Sequence, residues 1–414
     1  MQSSMKILIV HNSYQLPGGE DVVCARERDL LRAHGHRVEE YQRSNHELDQ
    51  YSWLQRLQMA GKVVWNGDSK RDFEVRLREF RPDVVHVHNT FMVISPSIYS
   101  ACREFGVPVV QTLHNYRLLC PSAVFFRNGK PCHDCESHLG HSVLHGCYRE
   151  SRTATASVAL MLSWHRAAGT YHEEVDRYIA LTQFSRSNFL RAGFAAERIM
   201  VKPNFVDPDP GERRTDGAYA LYVGRISPEK GLRTVMSAWR KLSETIPLRL
   251  AGTGPLVDEV RAEAEAIGPH IEYLGQISGT RVLEEMKGAR FVIFPSELYE
   301  NFPLTLCEAF ACGVPVLASN IGAMQEIVAN DETGIHFQAG NADDLAGKVL
   351  RAWTERDEMR RMGKRARIEF EDKYTAELNY SRLMEIYQSV LSEDTRVRLA
   401  FKAGQEMCTQ TVNA

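Results

Sequence analysis

Two glutamates bracket the segment Glu300-Asn-Phe-Pro-Leu-Thr-Leu-Cys-Glu308, and two cations, Arg225 and Lys230, follow Gly224 in an earlier loop. Carboxylates accept hydrogen bonds from vicinal hydroxyls, while a guanidinium and an ammonium together hold two phosphates. A ligand carrying both diols and a diphosphate, as a nucleotide sugar does, uses all four groups. Each half also has a plainer reading: loop cations in solvent, and acids favoured near a helix start by its dipole. Their coincidence in one chain is what points to the ligand.

The surrounding residues say where these groups sit. Gly224 ends an apolar run, Tyr219 to Val223, so Arg225 and Lys230 belong to a strand-to-helix loop, where open α/β sheets bind ligands. Pro303 suits the first position of a helix that Gly313 stops, which turns the backbone N–H groups of Leu304 and Thr305 outward toward an anion. Glu308, one turn on, reaches a ribose diol, and Glu300 in the preceding loop reaches hydroxyls of a transferred sugar. In the first half, His86 and His88 alternate on one strand face, either as hydrogen-bonded core residues or as site residues. His114 ends the next strand beside Asn115 and is the stronger site candidate. Gly18 and Gly19 follow the first strand, where missing side chains permit either close ligand approach or a plain tight turn. Gly252-Thr-Gly254 opens like a dinucleotide fingerprint, but Val257 stands in place of the third glycine, so it reads as a strand-to-helix turn without a nicotinamide site.

A chain of 414 residues exceeds the roughly 250 to 300 at which one core stops growing. Two domains are expected. Hydrophobic content of 43% and a net charge of -3 describe an ordinary globular protein with no global field for nucleic acid. The first ten residues are too weakly apolar for a secretory signal, and no segment reaches the ~18 apolar residues of a membrane span, which predicts a cytoplasmic protein. Apolar runs at Lys6 to Val10, Asp83 to His88 and Val107 to His114 alternate with helical patterns such as Val22 to His34, so the first half reads as doubly wound. Pro203 to Gly217 is polar and proline-rich, the best linker. A second α/β set follows, with strands at Tyr219 to Val223, Leu248 to Ala251, His270 to Leu274, Phe291 to Phe294 and Val314 to Ala318. Helical patterns lie at Gly231 to Thr245, Leu256 to Ile267, Gly279 to Lys287 and Leu304 to Cys312. The expected units are residues 1–204, 205–375 and 376–414, the last a helix at Ala376 to Leu391 with a fraying tail.

Of nine cysteines, Cys120, Cys132, Cys135 and Cys147 are separated by eleven, two and eleven residues. This spacing fits tetrahedral thiolate ligation, and a structural zinc holding the loop 115–149 is expected, with plain thiols and an iron-sulfur cluster as the other readings. His133, His138, His141 and His145 are substitute ligands. Residues Trp53 to Arg81 mix Trp53, Leu54, Leu57, Val63, Val64 and Trp65 with Arg56, Lys62, Lys70, Arg71, Arg76, Arg78 and Arg81, which is either a solvated helix face or a peripheral membrane contact at the inner face.

Tyr222-Val-Gly-Arg225-Ile-Ser-Pro-Glu-Lys230-Gly, Leu250-Ala-Gly-Thr-Gly-Pro255, Glu300 with Glu308, and Val314-Pro-Val-Leu-Ala-Ser319 resemble family 4 of the retaining GT-B glycosyltransferases. Gly18-Gly19, Pro82 to His88, His114, Tyr178 to Thr182 and Pro203 to Asp207 carry the resemblance through the first half. It implies two Rossmann-like doubly wound domains facing each other across a cleft, with a C-terminal helix crossing back to the first. It also implies a nucleotide-sugar donor held by Gly18, Gly19, Arg225, Lys230, Glu300, Asn301, Phe302, Leu304, Thr305 and Glu308. His114, Glu300, Arg225 and Lys230 would carry the catalysis, with retention at the anomeric carbon, no enzymic nucleophile and no required metal or cofactor. The acceptor would be a glycan or lipid-linked glycan in surface polysaccharide synthesis. Where the family more often has Glu-Gly-Phe-Gly, this chain has Glu300-Asn-Phe-Pro303, which alters the backbone contacts to the sugar. A nucleotide-sugar epimerase of the same shape and a non-catalytic nucleotide-sugar-binding regulator are the alternative functions.

Overall fold

The computed structural model describes residues 4–15, 18–243 and 245–392, with the side chains of 53–57 left aside. Residues 393–414 of the tail expected over Ser392 to Ala414, and the side chains of Trp53, Leu54, Arg56 and Leu57, lie outside the described residues.

The first half forms β1 (Lys6–Ser13), β2 (Arg37–Ser44), β3 (Val84–Asn89), β4 (Val109–Leu113), a small hairpin of β5 (Phe126–Arg127) and β6 (Lys130–Pro131), β7 (Arg177–Ala180) and β8 (Ile199–Val201). The second forms β9 (Tyr219–Val223), β10 (Leu248–Ala251), β11 (Ile271–Gly275), β12 (Ala289–Phe294), β13 (Val316–Ser319) and β14 (Gly334–Phe337). Each half builds a six-stranded parallel sheet, ordered β2-β1-β3-β4-β7-β8 and β11-β10-β9-β12-β13-β14. Helices covering both faces explain why the central strands are nearly continuous apolar runs; β3, β4 and β12 are buried along their whole length. In both sheets the strand order reverses beside the first strand, between β1 and β3 and between β9 and β12. A crevice opens at the carboxyl ends of strands at such a point. The loops after β1, β4, β9 and β12 are those that hold Gly19, His114, Lys230 and Glu300.

Several boundaries differ from the sequence expectation for local reasons. The strand expected from Val107 begins at Val109, because Pro108 has no N–H for the ladder and gives only its carbonyl, to Val85 N at 3.0 Å. The helix expected from Gly231 begins at Leu232, after a 3-10 turn at Pro228–Lys230 that Gly231 closes with φ of 73°. A Cβ at Gly231 would stand 2.0 Å from the Pro295 carbonyl oxygen, so only glycine lets the Lys230 turn lie against the loop after β12. Gly252 serves the wall beside it: a Cβ there would meet the Gly224 carbonyl oxygen at 1.8 Å.

The chain passes between the halves twice. Val206 and Thr375 form a parallel bridge where the two passages meet, with Val206 N donating to Tyr374 O at 3.1 Å. The helix over 376–392 then packs Leu383, Met384, Ile386, Tyr387 and Val390 onto Ile7, Ile9, Val84, Val110 and Ile179 of the first sheet. Burying these side chains contributes about 1.5–3 kcal/mol each, enough to hold the crossing helix firmly on the first domain. No helix among the described residues is long and apolar enough to cross a membrane.

Candidate active site

Two adjoining cavities fill the cleft. The larger, about 920 Å³, is lined from the first domain by Gly18, Gly19, His114 and Asn115 and from the second by Gly224, Arg225, Lys230, Thr253, Glu300 and Asn301. The smaller, about 280 Å³, shares Gly19, His114, Gly224, Lys230, Glu300 and Asn301 and reaches Phe302, Leu304 and Thr305. The structure therefore brings together the residues singled out from both halves, with Glu308 set one turn behind the cavity wall.

Lys230 Nζ pairs with Glu300 Oε1, which also accepts from Ser296 Oγ at 2.8 Å. The cation and the carboxylate, expected on different parts of a ligand, thus hold each other. Arg225 is exposed on the cavity wall and makes no ion pair among the described residues; its carbonyl accepts from Tyr222 OH at 2.7 Å, which fixes the loop. Pro303, expected inside the helix, is its N-cap, and the helix runs Leu304–Ala311. Leu304 and Thr305 then occupy the first turn, where backbone N–H groups have no carbonyl a turn earlier to bind.

Asn301 and Phe302 act mainly as bolts. Asn301 Nδ2 donates to Leu113 O of the first domain, and its own carbonyl accepts from Thr182 Oγ1 at 3.4 Å. Phe302 O accepts from Asn204 Nδ2 at 3.1 Å, and its ring stands edge-on to Tyr374 at 5.4 Å. Asn301 and Phe302 of Glu300-Asn-Phe-Pro303 therefore tie the loop after β12 to the first domain.

Glu308 meets a residue that the sequence did not single out. Arg26, on the helix Gly19–Ala33 of the first domain, approaches Glu308 Oε1 at 3.3 Å, and burial pushes the Glu308 carboxyl up while Arg26 opposes it. Glu20 was also missed as a site residue. Its Oε2 accepts from Asn115 Nδ2 at 3.3 Å, its Oε1 is buried without a partner, and burial with the neighbouring Asp21 charge raises it to about 8. Burial thus favours the protonated form of Glu20, which lines the smaller cavity. Nothing in the sequence distinguishes these two from ordinary helix-face and first-turn charges. Gly18 N donates to Asp21 Oδ2 at 2.7 Å, capping the same helix.

His86 and His88 are both buried on one face of β3, with ring centroids 4.4 Å apart. His114 sits just past β4, its Nε2 2.9 Å from His88 Nδ1, and burial holds it well below the ordinary imidazole range.

Cys120 and Cys135 are buried side by side, and the hydrogen bond from the Cys135 thiol draws Cys120 down to about 5. Cys132 lies against Arg127, and both Cys132 and Cys147 are half-buried. Among the described residues the three ligand atoms that converge within 4.8 Å belong instead to Glu27, His86 and His88. There the Lys202 ammonium already pairs with Glu27 and supplies the positive charge.

Residues 17–210 match the family model described as Glycosyltransferase Family 4, and residues 206–369 that described as Glycosyl transferases group 1. The chain is 28% identical over 336 residues to the glycogen synthase of Mycobacterium tuberculosis, covering 79% of this chain and 71% of that protein. It is 22% identical over 406 residues to the phosphatidyl-myo-inositol mannosyltransferase of Mycobacterium leprae, covering 95% and 99%. The solved structure of HepE from Anabaena in complex with UDP and glucose superposes with a TM-score of 0.64 at 18% identity, covering 93% and 100%. The two matched models meet at the passage between the two sheets, one on each side of the cleft just described, and the chain belongs to the glycosyltransferases of family 4, with the GT-B fold.

Proposed function

We propose that the protein transfers a sugar, with retention at the anomeric carbon, from a nucleoside diphosphate sugar to a glycan or lipid-linked glycan acceptor during surface polysaccharide synthesis. The observation that carries this is the cleft itself. Lys230, Glu300 and the first turn of the Leu304–Ala311 helix face His114 across one cavity. The donor diphosphate takes Lys230 from Glu300 and adds Arg225 and the Leu304 and Thr305 N–H groups, so fixed positive charge meets the leaving group. Glu300, released, accepts from sugar hydroxyls. The bond from the anomeric carbon to the diphosphate breaks while the bond to the acceptor oxygen forms on the same face, and the acceptor proton passes to a departing phosphate oxygen. No protein nucleophile is called on, and the cations that a divalent metal would supply come from the chain. The UDP held by the HepE neighbour supports this donor class. NMR of the product made from an α-linked donor is expected to show an α linkage; a β linkage contradicts retention.

The acceptor side bears on location. Trp65 is exposed beneath Lys70, whose Nζ stands 5.8 Å from its ring, and Leu160 and Trp164 are exposed one turn apart on the helix Arg152–Ala167 that packs on Trp53–Val64. We propose that this apolar face touches the cytoplasmic side of a membrane. The mycobacterial phosphatidyl-myo-inositol mannosyltransferase, named for a lipid acceptor, supports that reading. Lys62, Lys70 and Arg71 are partnered by Asp68 and Glu104, so the contact is mainly apolar. Cosedimentation with anionic vesicles, lost in Trp164→Ser, is expected; absence of binding by the wild type contradicts it.

For Cys120, Cys132, Cys135 and Cys147 we propose a structural zinc. What supports it is that the Cys120 and Cys135 thiols hydrogen-bond each other, while Cys147, raised by burial, lies close enough to Cys120 and Cys132 for their charges to raise it further. Elemental analysis of purified protein should give one zinc per chain, lost in Cys135→Ser. A content far below one removes the proposal.

A further inference from the structure

We infer that Glu27 acts through His88 as a positioning residue for His114, fixing its proton on Nε2 so that Nδ1 is left as a bare acceptor for a hydroxyl of the ligand. The inference rests on the cleft being the donor site.

Each link is a contact between buried or partly buried atoms. Lys202 Nζ pairs with Glu27 Oε1, and the same ammonium reaches Asn379 Oδ1 at 3.3 Å, while Asn379 Nδ2 donates to Pro203 O at 2.9 Å. Glu27 is therefore anchored at the point where the chain passes between the domains. Its other oxygen, Oε2, stands 3.5 Å from His88 Nε2 and 3.9 Å from His86 Nδ1, and neither Glu27 Oε2 nor His88 Nε2 makes a hydrogen bond. A carboxylate offers only lone pairs, which repel a bare imidazole nitrogen 3.5 Å away and favour a protonated one, so the proton belongs on His88 Nε2.

Burial and the neighbouring imidazoles keep His88 neutral, since they hold it well below its ordinary range. With its proton on Nε2, the other nitrogen, Nδ1, is bare. The 2.9 Å contact from His88 Nδ1 to His114 Nε2 then requires the proton to sit on His114 Nε2. His114 is likewise kept neutral by burial, which leaves its Nδ1 as a lone pair for the cavities it lines. Such a nitrogen attracts a hydroxyl and repels a phosphate oxygen. It thus orients the sugar, rather than the diphosphate, toward β4.

The rest of the cluster keeps the frame rigid without altering the relay. His86 is saturated by Tyr387 OH at 2.7 Å and Thr112 Oγ1 at 2.8 Å. His11, bound through Nε2 to Asp21 Oδ1 at 2.8 Å, stands edge-on to His88 with ring centroids 6.3 Å apart.

Long-range proton–nitrogen NMR spectra of the full chain labelled with 15N-histidine read the tautomer directly, with His114→Gln identifying the signals. The expected spectrum of the unliganded wild type shows His114 protonated on Nε2 only, with Nδ1 at the position of an unprotonated imidazole nitrogen. In His88→Leu the acceptor is gone and the Nδ1-protonated form should appear as a substantial fraction. A wild-type proton on Nδ1 of His114 overturns the inference, as does an unchanged tautomer in a folded His88→Leu. Because no nucleotide is present, failure of the donor reading leaves this result untouched.

Discussion

Lys230→Ala should lower kcat/KM for the sugar donor by about two to three orders of magnitude while leaving the fold intact. The two halves of that statement rest on different energies. The Lys230–Glu300 pair is partly exposed, and pairs of that kind contribute about 0–1 kcal/mol to stability. The same ammonium set against charge that grows on a leaving diphosphate is worth roughly 2.7–4 kcal/mol of transition-state stabilisation, and the loss should fall chiefly on kcat. Thermal melts and steady-state kinetics of the variant check both halves. Near-wild-type kcat in a folded variant would remove Lys230 from the reaction.

Glu308→Ala should behave differently, raising the donor KM by roughly ten- to a hundredfold, as expected for a lost charge-assisted hydrogen bond of about 1.5–3 kcal/mol. Its proposed partner, the ribose, lies away from the breaking bond, so ground state and transition state lose the contact equally and kcat should change much less. Arg26 offers an internal control. It approaches Glu308 at 3.3 Å from the other domain, so Arg26→Ala should free the carboxylate and leave donor affinity equal or better. A KM that falls with Arg26→Ala and rises with Glu308→Ala separates ligand binding from domain contact. If Glu308→Ala instead lowers kcat at unchanged KM, the ribose assignment is wrong.

Glu300, Lys230 and His114 could be found because each follows an apolar strand in a loop, where chemistry-bearing residues stand out against turn residues. Their strands could be found because burial on both faces writes nearly unbroken apolar runs, as in β12. The strand Arg37–Ser44 did not appear, since its RVEEYQRS pattern buries only Val38 and Tyr41 fully, at the sheet's edge. The helix Arg356–Lys373 was hidden by its charges, although Met359, Met362, Ala366 and Phe370 bury one face. Arg26, Glu27 and Lys202 were illegible for a stronger reason. A charge on a helix or before a proline reads as solvated unless the opposite domain is known, and their partners are Glu308, His88 and Asn379, far off in sequence. Glu300 and Glu308 were recognised by type, but their present partners, Lys230 and Arg26, could be learned only from the fold.

Calorimetric titration of the wild type and Glu308→Ala with UDP, GDP, ADP and CDP shows whether the cleft holds a donor nucleotide before any acceptor is known. Saturable one-to-one binding of one of these nucleotides, weakened at least tenfold in the variant, is expected. No binding by any of them, or equal affinity in both proteins, would contradict a donor site there.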